Sequence, residues 1–303
     1  MKKQDHQNAA LAGCVPVLVT PLNSDRSIDF DSTDRLIGYY IDEGVGALWV
    51  LGTGGEDMAL MYQHRLEFAR HVARKFGDKI KLLVGCSFYS FEETLEFVDS
   101  LNELNLHGIH YMPYQMLMGL DAIAANYQEI GRRSVHPVWL YQSDNWGRQL
   151  PPSFLGIFAG DDAFAGCKYS TSNSVKFEQA FRYNRAGFQV IPAVVKQLLP
   201  ALSLGAEAFT TVEASIHLER MKDILRAFDE GDIPAARTAQ VKLNTLMEKL
   251  SCQAAAQNFL KVAEIKAILE RKGICQRWVC SGFVELTDSE AEQIWEIYRS
   301  EET

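Results

Sequence analysis

Phe164-Ala165-Gly166-Cys167-Lys168 is a short apolar run that ends on a lysine. Its length and lack of polar alternation suit a strand buried on both faces, the kind found in parallel sheets. Seven similar runs accompany it, at residues 15–19, 47–51, 81–85, 108–112, 137–141, 188–191 and 208–212. Their starts lie roughly 20–34 residues apart, which suits successive strand–helix units. Helical periodicity fills the gaps. Residues 30–43 set Leu36, Ile37, Tyr40 and Ile41 on one face. Residues 91–105 set Leu95, Phe97, Val98, Leu101 and Leu104 along one side, with Ser90 and Glu93 spaced as a capping box. Further helices are read at 64–76, 121–133, 176–185 and 194–204. Eight evenly sized repeats without a central interruption predict an α/β fold, a closed (β/α)8 TIM barrel with a helix after each strand, over an open doubly wound sheet. The barrel is read at 13–231, behind a polar segment at 1–12. Residues 232–303 carry three more helical stretches, at 235–250, 259–272 and 288–299. They are too few for an independent domain and are expected to pack on the barrel or at its mouth.

The bulk numbers fit this reading. The chain has 303 residues, of which 47% are hydrophobic, enough for one large core. A net charge of −9, from 39 acidic and 30 basic residues without a basic run, argues against a nucleic-acid partner. No stretch of about 18 apolar residues occurs, so no membrane partner is expected. The polar start of the chain lacks the apolar core of a signal peptide, which makes the cytoplasm the expected compartment. Cys14, Cys86, Cys167, Cys252, Cys275 and Cys280 form no CxxC pair and read as reduced thiols, mostly in the core. The seven histidines show no metal-ligand spacing, and no cofactor motif is present, so neither a metal nor a cofactor is expected.

In such a barrel the chemistry sits where the strands end on their C-terminal side. Lys168 ends the sixth strand, Tyr141 the fifth, and Gly52-Thr53-Gly54-Gly55-Glu56 follows the second. A lysine at the end of an apolar strand loses water, and desolvation favours the neutral amine. A neutral amine attacks a carbonyl to give a Schiff base. The plainer reading is a lysine that snorkels or pairs with a carboxylate. Tyr141 can relay a proton, or can be an ordinary barrel tyrosine. The glycine-rich stretch can offer backbone N–H groups to a carboxylate, or can be a simple tight turn. Glu56 reads as structural.

Taken together these pieces resemble the family of dihydrodipicolinate synthase and N-acetylneuraminate lyase. Val19-Thr20-Pro21 is similar to that family's first strand ending, and Gly52-Thr53-Gly54-Gly55-Glu56 to its glycine-rich signature. Tyr141 matches its fifth-strand tyrosine and Gly166-Cys167-Lys168 its Gly-x-Lys. The resemblance spans roughly residues 13–299. It implies a Schiff-base lyase or aldolase acting on pyruvate or a related 2-oxo acid. Lys168, Tyr141 and Thr53 would be catalytic, with Thr53 and Gly54 holding the carboxylate. Asn145, Trp146, Arg148 and Thr210 complete the expected substrate contacts. The partners implied are a small 2-oxo acid and further copies of the chain, as a homodimer or homotetramer.

Departures from the pattern argue against both namesake activities. Gly54 stands for a hydroxyl residue, and Gln115, after Pro113-Tyr114, replaces a tyrosine that family members lend to a neighbouring subunit. Trp146 falls where an arginine meets the second substrate in dihydrodipicolinate synthase, with Arg148 two residues on. Ala193-Val194-Val195 replaces the carboxylates with which sialic acid lyases hold a hydroxylated tail. An acceptor less polar than either namesake's follows as an expectation. Tyr141-x-x-Asp144-Asn145 also resembles the family's sugar-acid dehydratases, which makes dehydration the runner-up. A barrel that binds a 2-oxo acid without turning it over is the alternative from another class.

Overall fold

The computed structural model describes residues 10–250, 258 and 260–301. Eight parallel strands form the centre: β1 (Gly13–Pro16), β2 (Ala47–Val50), β3 (Lys81–Gly85), β4 (Gly108–Tyr111), β5 (Val138–Ser143), β6 (Phe164–Ser170), β7 (Gln189–Pro192) and β8 (Ala208–Thr211). Continuous ladders join β2 through β7 in order, and β1 pairs with β8. The Leu18 amide donates to the Trp49 carbonyl at 2.9 Å, which ties β1 to β2. β7 and β8 lie side by side, and the sheet curls into a barrel. Every strand is buried along nearly its whole length, as its largely apolar sequence requires. Gly166 permits one of the closest approaches: a Cβ there would lie 2.1 Å from the Gln189 carbonyl oxygen of β7.

Seven of the strands are followed by an α-helix: α1 (Phe30–Asp42), α2 (Tyr62–Phe76), α3 (Phe91–Leu101), α4 (Leu120–Arg133), α5 (Ser174–Phe181), α6 (Leu198–Ser203) and α7 (Ala214–Asp229). The faces are those the periodicity marks: α1 buries Leu36, Ile37 and Tyr40, and α3 buries Phe97, Val98 and Leu101. Side chains cap the helix starts, Asp29 for α1 and Ser90 for α3, each accepting from an amide three residues on. The fifth unit differs from the expected helix-after-every-strand pattern. Between β5 and β6 the chain forms a long mouth loop and a 3-10 helix, Pro152–Ile157. Pro151 and Pro152 remove two consecutive amide donors, and Phe154, Leu155 and Phe158 anchor the short turn in the core.

Among the described residues three more helices follow: α8 (Ile233–Lys249), α9 (Val262–Arg271) and α10 (Asp288–Ser300). A full capping box between Thr287 and Glu290 starts α10. The extension contributes to the same core as the barrel, through Leu243, Ile265, Ile268 and Ile294. The five cysteines among the described residues are buried and unbridged, while Cys252 lies outside them. No described helix is long and apolar enough to cross a membrane.

Candidate active site

The parallel register sets Tyr141 of β5 directly beside Lys168 of β6. Both face a cavity of about 300 Å³ at the C-terminal mouth of the barrel. Lys168 is only 4% exposed. Its Nζ lies 4.4 Å from the centroid of the Tyr141 ring and 5.1 Å from that of Trp49. Among the described residues no carboxylate reaches ion-pair distance. Burial therefore dominates and lowers the amine's pKa to about 7, against the opposing pull of Glu213 and Asp57. Roughly half the amine is then neutral near pH 7, against well under ~0.1% for an ordinary lysine.

Trp49 is itself backed by His110, whose ring stacks on it at 4.1 Å. His110 donates from Nε2 to the Val50 carbonyl at 3.0 Å, and burial holds its pKa well below the usual histidine value. It is a neutral prop and adds no second charge near the amine.

The turn after β2 is built from its glycines. Thr53–Gly55 forms one turn of 3-10 helix, closed by the amides of Gly55 and Glu56 donating to the Gly52 and Thr53 carbonyls at 2.8 and 3.0 Å. The first amides of such a turn have no partner within it and remain for a ligand. The buried Thr20 hydroxyl, four residues past β1, donates to the Gly55 carbonyl at 2.6 Å, which explains the threonine there. Glu56 adopts a left-handed conformation, φ 58°, and its carboxylate reaches away from the mouth. It accepts from the Cys280 amide at 2.8 Å and pairs with the ammonium of Lys266 on α9. The C-terminal extension thus fixes the turn, and Glu56 is structural.

The Thr53 hydroxyl lies 3.4 Å from the Tyr141 hydroxyl and 3.2 Å from that of Tyr114. Burial pushes both phenols above their ordinary range. Tyr114 is the residue just before Gln115, the position whose usual tyrosine is lost.

Gly54 lines the cavity, as do Asn145 and Trp146. A Cβ at Gly54 would lie 2.7 Å from the Val212 Cβ, so the space of the missing hydroxyl side chain is occupied from β8. Val194 and Val195 also line the cavity, with Met247 and Leu260 from the extension. Polar groups remain among them: Ser170, Lys196 and Glu213. Asp144 points elsewhere, holding Thr171, Lys176 and the Gln142 amide. Arg148 is half-buried outside the cavity lining, its amide donating to the Pro113 carbonyl at 2.7 Å. Thr210 is fully buried, its hydroxyl has no partner among the described residues, and it does not line the cavity, whereas Thr211, Val212 and Glu213 do. Sequence reasoning gave no site role to Trp49, His110, Asp57, Tyr114 and Glu213. Trp49 looks like any apolar strand residue, and the others carry no spacing that marks them as site residues.

The sequence profile of the Dihydrodipicolinate synthetase family matches residues 10–299. A 4-hydroxy-tetrahydrodipicolinate synthase of Oceanobacillus iheyensis is 22% identical, covering 91% of this chain and 92% of its own. One from Archaeoglobus fulgidus is 23% identical, over 95% and 97%. Among solved structures, dihydrodipicolinate synthase from Bacteroides thetaiotaomicron superposes with a TM-score of 0.88 at 24% identity, covering 96% of this chain and 98% of its own. N-acetylneuraminate lyase from Aliivibrio salmonicida gives 0.87 at 20% identity, over 99% and 98%. These structures establish the (β/α)8 barrel, and the profile match over nearly the whole chain establishes that it belongs to the dihydrodipicolinate synthetase family.

Proposed function

We propose that this chain is a class I lyase or aldolase in which Lys168 forms a Schiff base with pyruvate or a related 2-oxo acid. The observation that carries the reading is the amine itself: buried at the barrel mouth, facing a cavity and without a carboxylate partner among the described residues, so that burial lowers its pKa to about 7. The neutral amine adds to the ketone carbon, and the carbinolamine loses water to give an iminium. The iminium then draws electrons from the adjacent carbon. Loss of a proton there gives an enamine nucleophile, and in the other direction a carbon–carbon bond breaks. Tyr141, beside Lys168, passes protons to and from the carbinolamine and the substrate hydroxyl. The first amides of the Thr53–Gly55 turn and the Thr53 hydroxyl hold the carboxylate.

Trp146, Val194, Val195 and Val212 favour an acceptor less polar than aspartate semialdehyde or sialic acid. Strong activity on either compound would remove that part of the proposal. Asn145 lines the cavity and favours dehydration of a sugar acid as the second reading. Water loss keeps the carbon skeleton intact, whereas aldol cleavage releases pyruvate, so product analysis separates the two. Met58, Met61, Tyr89, Met116 and Leu117 are exposed on the loops after β2, β3 and β4, which supports assembly into a homo-oligomer. The cytoplasm is the compartment proposed for it.

Borohydride reduction in the presence of pyruvate, followed by peptide mass spectrometry, tests the central claim. A reduced pyruvyl adduct on Lys168, absent in Lys168→Ala, is expected. No adduct with pyruvate or longer 2-oxo acids would leave the non-catalytic binding barrel as the better reading.

A further inference from the structure

Behind Tyr141 the chain of hydroxyls does not stop at Thr53. The Tyr114 hydroxyl, 3.2 Å from Thr53, also donates to the Asp57 carboxylate, 3.3 Å from Oδ1 and 3.5 Å from Oδ2. Asp57 is 2% exposed and lies in a 3-10 turn two residues past Gly55. It also accepts from the Met58 amide, and its charged neighbour is Arg65 of α2, at 3.9 Å. That guanidinium is buried over the Phe88 ring and donates to the Ser87 carbonyl at 2.6 Å. The pair is loose for a structural salt bridge, and two of the Arg65 nitrogens have no hydrogen-bond partner. A buried carboxylate held this loosely is an expensive way to build a turn.

We propose that Asp57 is the proton store of this active site, reached from Tyr141 through Thr53 and Tyr114 within a single chain. The inference rests on the Schiff-base reading above and adds to it where the proton goes. When the iminium becomes an enamine, the carbon–hydrogen bond breaks and its electron pair enters the new carbon–carbon double bond. The proton passes to the Tyr141 oxygen as the Tyr141 proton moves to Thr53, that of Thr53 to Tyr114, and that of Tyr114 to the Asp57 carboxylate. Asp57 ends as the carboxylic acid and the three hydroxyls are restored. The same proton returns by the reverse sequence when an alkoxide forms on the acceptor. Neither phenol is a resting base, because burial keeps both protonated far above neutral pH. A carboxylate at the inner end supplies the acceptor they lack. The oxygen separations are long for hydrogen bonds, and such contacts tighten when substrate arrives.

Charged and titratable groups surround Asp57 from every side of the site: Arg65 from α2, Tyr114 after β4, Tyr141 and Lys168 from β5 and β6, and Cys280 past α9. Burial raises the Asp57 pKa to about 6, with Arg65, the Met58 amide and Tyr114 opposing. It is thus ionised, and able to accept, in the range where Lys168 becomes neutral.

The test follows exchange of the pyruvate methyl protons with deuterium oxide by NMR, alongside borohydride trapping at Lys168, in the full chain. Asp57→Asn and Tyr114→Phe are each expected to keep the trapped adduct while exchange slows by about tenfold or more, within the range of general acid–base effects. The double variant is expected to be no slower than the slower single one, because both cut one path. In Tyr114→Phe the exchange rate loses its dependence on a group titrating near pH 6. Exchange slowed by less than about threefold in Tyr114→Phe, with an unchanged pH profile, overturns the proposal even if Asp57→Asn proves unfolded. Absence of any adduct in the unaltered protein overturns the Schiff-base reading instead, and the two failures are told apart by the trapping arm.

Discussion

Lys168 and Lys266 are both buried, at 4% and 0% exposure, and they live in opposite electrostatic circumstances. On α9, Lys266 meets the Glu56 carboxylate and donates to the Trp278 carbonyl at 2.9 Å. Near the C-terminal end of β6, Lys168 meets aromatic faces and an open cavity. Burial alone does not make a lysine reactive. A supplied counter-charge turns it into a clamp, and its absence leaves an amine that sheds its proton. The two regions are linked, because the carboxylate that satisfies Lys266 belongs to the turn that faces Lys168.

The largest expected effect separates the two lysines. Lys168→Met is predicted to abolish adduct formation and turnover, read by trapping and by pyruvate release, and at the same time to stabilise the fold. The Lys168 pKa falls from 10.5 unfolded to about 7 folded. The unfolded chain binds the proton more tightly, so the native lysine costs stability in full below about pH 7. That cost fades as pH rises toward 10.5. The gain in Tm for Lys168→Met is therefore expected to be largest at pH 7 and below and to vanish above about pH 10.5. A variant that is equally stable or weaker at pH 6 would break the contrast.

Lys266→Met is predicted to do the opposite. Leaving Glu56 buried without its partner costs about 3–5 kcal/mol in denaturant unfolding. Because Glu56 holds the Thr53–Gly55 turn, KM for the 2-oxo acid is expected to rise as well. Loss below about 1 kcal/mol would show that the pair is not the clamp described.

Gly54→Thr tests the cavity wall between these regions. Its Cβ would intrude on Val212, and overpacking of this kind costs about 1–3 kcal/mol. Adding Val212→Gly, which removes that Cβ, is expected to recover most of the loss in thermal unfolding. No recovery would mean that Gly54 answers to Val17 and not to Val212.

The smallest effect is one of acidity. The rate of adduct formation is expected to rise with pH to a plateau above about 7 and to fall roughly tenfold per unit below it. A single-turnover pH series with pyruvate measures it. A midpoint near 10 would restore Lys168 to an ordinary, solvated lysine.

Much of this molecule was legible in the chain. The run at 164–168 is a strand in the structure as in the sequence, continuing two residues past the expected end to Ser170, because a strand with two buried faces must be mostly apolar until it nears the mouth. Tyr141 and the glycine-rich turn could be placed by the same logic. Arg148 and Thr210 could not. Arg148 lies in the loop after β5, where one residue of slack decides between cavity and outer wall. Thr210 sits one position from Thr211 in β8, and only Thr211 is placed at the cavity. The helix missing after β5 was foreshadowed by Pro151 and Pro152, which outweigh the regular spacing around them.

By itself the sequence determined the barrel, the order of its strands and the presence of an amine, a phenol and a glycine turn at their ends. Local periodicity and strand polarity suffice for that. Only the tertiary structure decided which lysine is paired and which is not, that Val212 fills the space beside Gly54, and that Asp57 meets Tyr114. Each of these depends on residues far apart in the chain whose side chains meet only when the barrel closes, and the energy of a buried charge is set by those neighbours.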